Sequence, residues 1–413
     1  MNSVVSNSIA TRLNAELPVA TRAMPASRSA GADLLRALAI LLVMLWHLPT
    51  TATPALLTGF KPYSWIGVDL FFVLSGYLIG TQLLTPIARG ERPDLGAFYL
   101  RRSLRILPAF LVVLVLYTVL PALWEAPYMQ PLWRFLTFTM NFDLAYQLNG
   151  TFSHAWSLCV EAQFYLILPL ILLLFGRIRS ATPALAVAIL IVLIGMVLRS
   201  AIWNEVIGAR LEMGNYKGLG FLYLKDIYYP TYCRLDGLVF GVLLAAAKIF
   251  WPKLWRHADS RVMFTGGAVS LAASLALAAY RGALAPAQAH LPMLSLPGAV
   301  AAYPLFAFGC TLILASLIKA EALLSRWRLP GATLVAALSY SLYLTHKLVM
   351  HLDGLVIGTD RLQGWTGLLV YFGTSLVAAG ALWLVIERPF LRMRSGILAR
   401  SRSWTMRSNG IGK

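Results

Sequence analysis

Arg36 and His47 are two ionisable residues placed eleven positions apart in the first membrane-length apolar stretch of the sequence. Such groups are costly in hydrocarbon and usually face a protein interior or a water-filled cavity. At about 100° per residue both side chains lie on one face of a helix, roughly 16 Å apart along its axis. Arg36 could contact an anionic ligand, and His47 could accept a hydroxyl proton near neutral pH. The alternatives are a snorkelling anchor for Arg36 and a helix–helix contact for His47.

Two carboxylates inside predicted helices are further candidates. Asp69 opens the apolar run GVDLFFVLSGYLIG and indicates either a cavity or a structural ion pair. Glu161, in the run HAWSLCVEAQFYLILPL, could orient His47, hold an acceptor hydroxyl or pair with an arginine. Arg234 and Asp236 are two residues apart and so point to different faces, which predicts that their partners lie on other helices.

A cluster of arginines precedes the third apolar segment, and it consists of Arg101, Arg102 and Arg105. It could be a stop-transfer anchor, or a cytosolic clamp for the phosphates of a nucleotide-containing cofactor. Later in the sequence, His346 and Lys347 are predicted to lie at the membrane interface.

The composition is that of a polytopic membrane protein. Of 413 residues, 59% are hydrophobic and 13% charged, and the mean hydropathy is +0.70, whereas soluble domains carry about 25% charged residues. The net charge of +18 is spread over the ends of apolar segments, which indicates membrane topology rather than nucleic-acid binding. The three cysteines lie in apolar stretches and are expected to be free. No spacing of His, Cys, Asp and Glu predicts a metal site.

The predicted fold is therefore all-α, with about ten transmembrane helices. The stretch 131–145 is too short and polar to span, and is placed as a surface or re-entrant piece. With the N-terminus in the cytosol, 24 Lys and Arg lie in cytosolic segments and eight in the opposite loops, so both termini are expected to be cytoplasmic. The predicted spans are 34–53, 63–84, 104–123, 156–175, 182–202, 229–250, 262–280, 298–318, 331–351 and 364–387.

The predicted organisation has three parts. Residues 1–32 form a flexible cytoplasmic tail, residues 33–388 the transmembrane domain, and residues 389–413 a basic cytoplasmic tail. The motifs of the middle part together resemble the acyltransferase 3 family, integral membrane O-acyltransferases of bacterial glycan modification. In order along the chain these motifs are the Arg36–His47 pair, GVDLFFVLSGYLIG, RRSLRILP, HAWSLCVEAQFYL, RLDGLVFG, SYSLYLTH and ERPF.

The resemblance implies a ten-helix core in which Arg36 and His47 are the essential pair. It implies transfer of an acyl group, commonly acetyl, from cytosolic acyl-CoA to a hydroxyl of a cell-surface or exported glycan. The expected location is the bacterial inner membrane, with proteins of envelope polysaccharide assembly as expected partners. A sugar or lipid-linked sugar transporter, and a non-catalytic member of an envelope assembly, are the alternative functions.

In the mechanism that we expect, His47 is the general base, Glu161 or Asp69 fixes its tautomer, and Arg36 lies at the mouth of a tunnel. The phosphates of acetyl-CoA, the donor substrate, would meet Arg101, Arg102 and Arg105.

Overall fold

The fold is a bundle of long α-helices. The computed structural model describes residues 29–175, 182–215, 217–280, 294–326, 331–393 and 397, and these contain no β-strand beyond isolated bridges at Met129. The all-α prediction is confirmed. Within these residues, ten helices have 15 or more residues: α1 Ala30–His47, α2 Ile66–Ala88, α3 Leu95–Val119, α4 Trp156–Phe175, α5 Thr182–Ile202, α6 Asp236–Phe250, α7 Ser260–Ala279, α8 Leu296–Lys319, α9 Ala332–Asp353 and α10 Gly364–Leu382.

Eight helices of the described chain are long and apolar enough to cross a membrane. The chain is thus a multi-pass membrane protein. The two long helices outside this set are α6, which has 15 residues, and α9, which carries several of the polar groups described below. Ten spans and cytoplasmic termini stay predictions. Most of the predicted tails, 1–32 and 389–413, lies outside the described residues.

Helix α1 begins earlier and ends earlier than the predicted span 34–53. The hydroxyl of Ser29 accepts a hydrogen bond from the backbone N–H of Ala32 and so caps the helix. The Glu321 carboxylate accepts from the Ser29 hydroxyl at 2.6 Å and the Ala30 N–H at 2.7 Å. Burial opposes ionisation of Glu321, but these bonds outweigh it and lower the pKa of the carboxyl. The helix ends at His47 because the extended Leu48 precedes a proline.

Helices α2 and α6 touch backbone to backbone. A Cβ atom added at Gly76 would lie 2.0 Å from the carbonyl oxygen of Leu238, and one at Gly241 would lie 2.2 Å from that of Val73. Only glycine permits this approach, and small residues at helix interfaces are characteristic of membrane bundles. The close contact fixes the position of α2. This helix begins directly after Trp65, which lines the cavity described below.

The segment between α3 and α4 covers one end of the bundle. It contains the five-residue helix Leu132–Leu136, too short to span a membrane, in agreement with the prediction for 131–145. Phe135 and Phe152 are fully buried and stack with ring centroids 5.7 Å apart. Phe152 has a left-handed backbone conformation with φ of 57°, and the 3-10 turn Ser153–Ala155 follows it. This turn holds His154 against the helices.

Candidate active site

Three histidines from distant parts of the chain meet at one end of the bundle. His47 is the last residue of α1, His154 lies in the turn before α4, and His346 lies in α9. Nδ1 of His47 is 3.1 Å from Nε2 of His346. The ring centroids of His346 lie 4.9 Å from those of both other histidines, and those of His47 and His154 are 6.3 Å apart.

The hydrogen bonds assign a tautomer to each ring of the central pair. Nδ1 of His346 lies 3.0 and 2.9 Å from the carbonyl oxygens of Leu342 and Tyr343, so it carries the proton and donates. Nε2 of His346 is then unprotonated, and its lone pair accepts a hydrogen bond from Nδ1–H of His47. The same Nδ1 of His47 lies 2.9 Å from the carbonyl oxygen of Val43. In the neutral state this leaves Nε2 of His47 as an unprotonated nitrogen.

Nε2 of His47 is therefore free to act as a base. None of the described residues is hydrogen-bonded to that atom, and the His47 side chain is only half-buried. A base that holds its proton acceptor open toward a cavity can take a proton from a bound hydroxyl. This arrangement follows from the position of His346, which is fully buried among the helices. The position of His346 and Lys347 at the membrane interface stays a prediction.

His154 presents a second unpaired nitrogen. Its Nε2 lies 3.2 Å from the carbonyl oxygen of Leu344 and donates to it, so Nδ1 is the unprotonated nitrogen of the neutral ring. Nδ1 is buried and has no hydrogen-bond partner among the described residues. The hydroxyl of Tyr343 donates to the backbone carbonyl of His154 and lies 2.7 Å from the hydroxyl of Ser157. A ligand hydroxyl could donate to the open Nδ1.

The described histidines do not form a group able to hold a metal ion. Three ring nitrogens of the cluster are already hydrogen-bonded to backbone carbonyls or to each other, namely Nδ1 of His47, Nε2 of His346 and Nε2 of His154.

A cavity of about 50 Å³ adjoins the cluster, and both His47 and His154 line it. The cavity is large enough for water or a small chemical group, because a 150 Å³ cavity is known to hold one benzene molecule. Aromatic side chains form most of the remaining wall: Trp46, Trp65, Trp156, Tyr228, Tyr229 and Tyr343.

Asp69 is held in a buried ion pair rather than against His47. Both of its carboxylate oxygens accept from Nη2 of Arg234 at 2.9 Å. The guanidinium also lies 4.3 Å from the ring centroid of Tyr228 and 5.3 Å from that of Trp156. The prediction of partners on other helices is confirmed, since Asp236 pairs in the same way with Arg199 of α5 at 2.7 Å.

Glu161 belongs to a second polar cluster. It accepts hydrogen bonds from the hydroxyls of Ser75, at 2.9 Å, and of Tyr165. The guanidinium of Arg102 lies 5.2 Å from the ring centroid of Tyr165. Among the described residues neither Glu161 nor Asp69 is hydrogen-bonded to His47, and His346 occupies the orienting position instead.

The predicted arginines lie toward the ends of α1 and α3 that are remote from the histidines. Arg36 pairs with Asp33 at 2.7 Å. Arg105 lies 3.9 Å from Glu387, and its side chain is one-third exposed. Arg102 also lies 3.4 Å from the amide oxygen of Gln82, and Arg101 is partly buried beside it. The structure therefore places these four arginines toward one end of the helices and the three histidines toward the other.

The sequence of the bundle matches one family over most of its length. A family model described as an acyltransferase domain covers residues 29–385. The chain belongs to the acyltransferase 3 family. This match includes the helices that supply all three histidines and both polar clusters.

Two relatives of this family member carry informative names. The peptidoglycan O-acetyltransferase OatA of Listeria monocytogenes is 31% identical over 238 residues, which cover 53% of this chain and 33% of the relative. The O-acetyltransferase OatA of Staphylococcus aureus is 26% identical over 238 residues, covering 54% of this chain and 34% of the relative. The chain thus matches about one third of the length of these curated relatives. No solved structure matches it significantly.

Proposed function

We propose that this protein is an O-acetyltransferase that moves an acetyl group from acetyl-CoA to a hydroxyl of a cell-surface or exported glycan. The observation that carries the proposal is the His47–His346 pair, which leaves an unprotonated nitrogen of His47 beside a small cavity. Membership of an acyltransferase family supports acyl transfer. The names of the two relatives support acetyl as the group, and the name of the Listeria relative supports a glycan as the acceptor.

In the proposed reaction, Nε2 of His47 takes the proton of the acceptor hydroxyl as the oxygen attacks the thioester carbonyl. The new carbon–oxygen bond forms, the carbon–sulfur bond breaks, and the CoA thiolate takes the proton back from His47. While His47 is protonated, its Nδ1–H makes a charge-assisted hydrogen bond to His346. General-base catalysis of this kind typically contributes about 10²–10⁴-fold.

The proposed donor path runs along α1. Arg36 lies about three turns, or roughly 16 Å, before His47 on the same face. The arginines at the start of α3 are proposed to contact the phosphates of acetyl-CoA, because planar guanidinium groups bind phosphate bidentately. The loop charges support a cytosolic position for this end. The proposed location is the bacterial inner membrane. The arginines proposed to contact the phosphates are Arg101, Arg102 and Arg105.

Glu161 and Asp69 enter the proposal as positioning residues. Asp69 fixes Arg234, whose guanidinium packs on Trp156 in the wall of the cavity. Glu161 accepts hydrogen bonds from Ser75 of α2 and Tyr165 of α4 and so links the two helices. The guanidinium of Arg102 lies over the Tyr165 ring. Both carboxylates are thus placed to hold helices around the site rather than to exchange protons with substrate.

Comparative mass spectrometry of envelope glycans tests the proposed function. A deletion strain is complemented with the wild-type gene or with His47→Ala at equal protein levels. We expect an acetyl group on one glycan that only the wild-type gene restores. Envelope glycans that are identical in all strains would contradict the glycan acceptor.

A further inference from the structure

The indole of Trp65 contains a buried hydrogen-bond donor without an acceptor. Its side chain is 3% exposed, and Nε1 has no hydrogen-bond partner among the described residues. An indole N–H can only donate, so no rearrangement of its own proton satisfies it. Two other tryptophans of this chain are paired: Nε1 of Trp124 donates to the carbonyl of Tyr117 at 2.8 Å, and Nε1 of Trp203 donates to that of Leu294 at 2.7 Å.

Trp65 is also part of the cavity wall that includes His47. Its ring is held by neighbouring aromatic rings, with the centroid of Tyr303 at 5.9 Å and that of Phe306 at 5.7 Å. The following helix is fixed in turn by its glycine contact with α6. The donor is therefore preorganised, and it cannot turn away to find another acceptor.

The size of the cavity indicates which chemical groups fit beside His47 and Trp65. About 50 Å³ is one third of the volume that encloses benzene, so the cavity has room for a water molecule or a two-carbon acyl group. A carbonyl oxygen is the acceptor that an acetyl group carries. It is also the atom on which negative charge develops when a hydroxyl attacks the thioester.

We propose that the Trp65 Nε1–H donates a hydrogen bond to the acyl carbonyl oxygen and stabilises the charge that develops there. The proposal rests on the acyl transfer proposed above, and adds a catalytic residue to it. His47 removes the hydroxyl proton, and Trp65 holds the oxygen that becomes negative. When the carbonyl re-forms and the thiolate leaves, the hydrogen bond returns to its neutral strength.

Replacing the N–H without disturbing the ring tests this role. Trp65→Phe keeps an aromatic ring, and benzothienylalanine at position 65 keeps the bicyclic shape with sulfur in place of N–H. We expect both variants to lower kcat for acetyl transfer by about 10²–10³-fold, the usual effect of losing one such donor. The KM for acetyl-CoA should change by less than about 3-fold, because the interaction strengthens only in the transition state.

Trp203→Phe is the matched control, since Trp203 is a partly buried tryptophan whose N–H is already bonded to Leu294. We expect the control to lower the unfolding temperature and leave kcat unchanged. Benzothienylalanine at position 65 should lower kcat and leave the unfolding temperature unchanged. Wild-type kcat in the benzothienylalanine variant would overturn the role of Trp65 while leaving the proposed function intact. A wild-type protein that transfers no acetyl group at all would instead contradict the proposed function.

Discussion

Replacing His346 by phenylalanine removes the acceptor of the His47 hydrogen bond and retains a ring in its place. The wild-type bond joins Nδ1 of His47 to Nε2 of His346 over 3.1 Å. A hydrogen bond between neutral groups contributes about 0.5–1.5 kcal/mol net, and one to a charged group about 1.5–3 kcal/mol. Only the difference, about 1–2 kcal/mol, affects the rate, because His47 is neutral in the ground state and protonated as the reaction proceeds. This difference corresponds to a loss of about 5- to 30-fold in kcat.

The loss is bounded because the carbonyl of Val43 still accepts from Nδ1–H of His47 at 2.9 Å, so the tautomer is retained. His346→Gln places an amide oxygen near the former Nε2 position and should recover most of the rate. His257→Phe serves as the control for loss of an imidazole, because His257 is exposed and bonds only to Lys253 of its own helix.

The assay is transfer of labelled acetyl from acetyl-CoA to glycan by purified protein in liposomes, together with the unfolding temperature of each variant. A His346→Phe protein that works at the wild-type rate would refute the orienting role. A loss beyond about 10³-fold in both His346 variants would also refute it, because such a loss would place His346 in direct contact with the reacting groups.

Three further predictions concern packing and the donor. Asp69→Asn should cost about 3–5 kcal/mol in unfolding free energy measured in detergent, since it leaves Arg234 buried without its counter-charge. Asp69→Leu combined with Arg234→Met should cost much less, and an equal loss would contradict the ion-pair argument. Gly76→Ala should lose about 1–3 kcal/mol, because its Cβ meets backbone at 2.0 Å. Gly373→Ala, with nothing within 4 Å, should gain up to about 1 kcal/mol. Arg105→Ala should raise the KM for acetyl-CoA about 10-fold but leave that for acetyl-pantetheine unchanged, and equal effects on both donors would exclude a phosphate contact.

Eight of the long helices among the described residues could be predicted from the sequence because they are long and apolar enough to cross a membrane. Each of the ten long helices lies at a predicted span, and the largest boundary error concerns α3, which begins at Leu95, nine residues before the predicted start at 104. The Asp94 carboxylate caps the helix there by accepting from the backbone N–H of Ala97. Arg36 and His47 lie on one continuous helix, as their spacing predicts.

The partners of the site residues could not be predicted, because helix contacts depend on which faces meet. Asp69 and Glu161 had several plausible partners, and the structure gives them Arg234 and Ser75. His154 and His346 were the histidines missed as site residues. A usable signal was present in α9, where Ser339 and His346 lie two turns apart on one face of the helix. Polar residues that share one face of a helix in a membrane protein indicate a buried site.

The rate of acetyl transfer by His47→Gln, relative to wild type, tests the central claim most directly. Purified proteins in liposomes are supplied with labelled acetyl-CoA and a glycan acceptor, and their single-turnover rates are compared. The unfolding temperatures of the two proteins are measured as well, and the comparison requires that they are equal. The proposed role of His47 as the base predicts a loss of about 10²–10⁴-fold. Transfer by His47→Gln at the wild-type rate would contradict it.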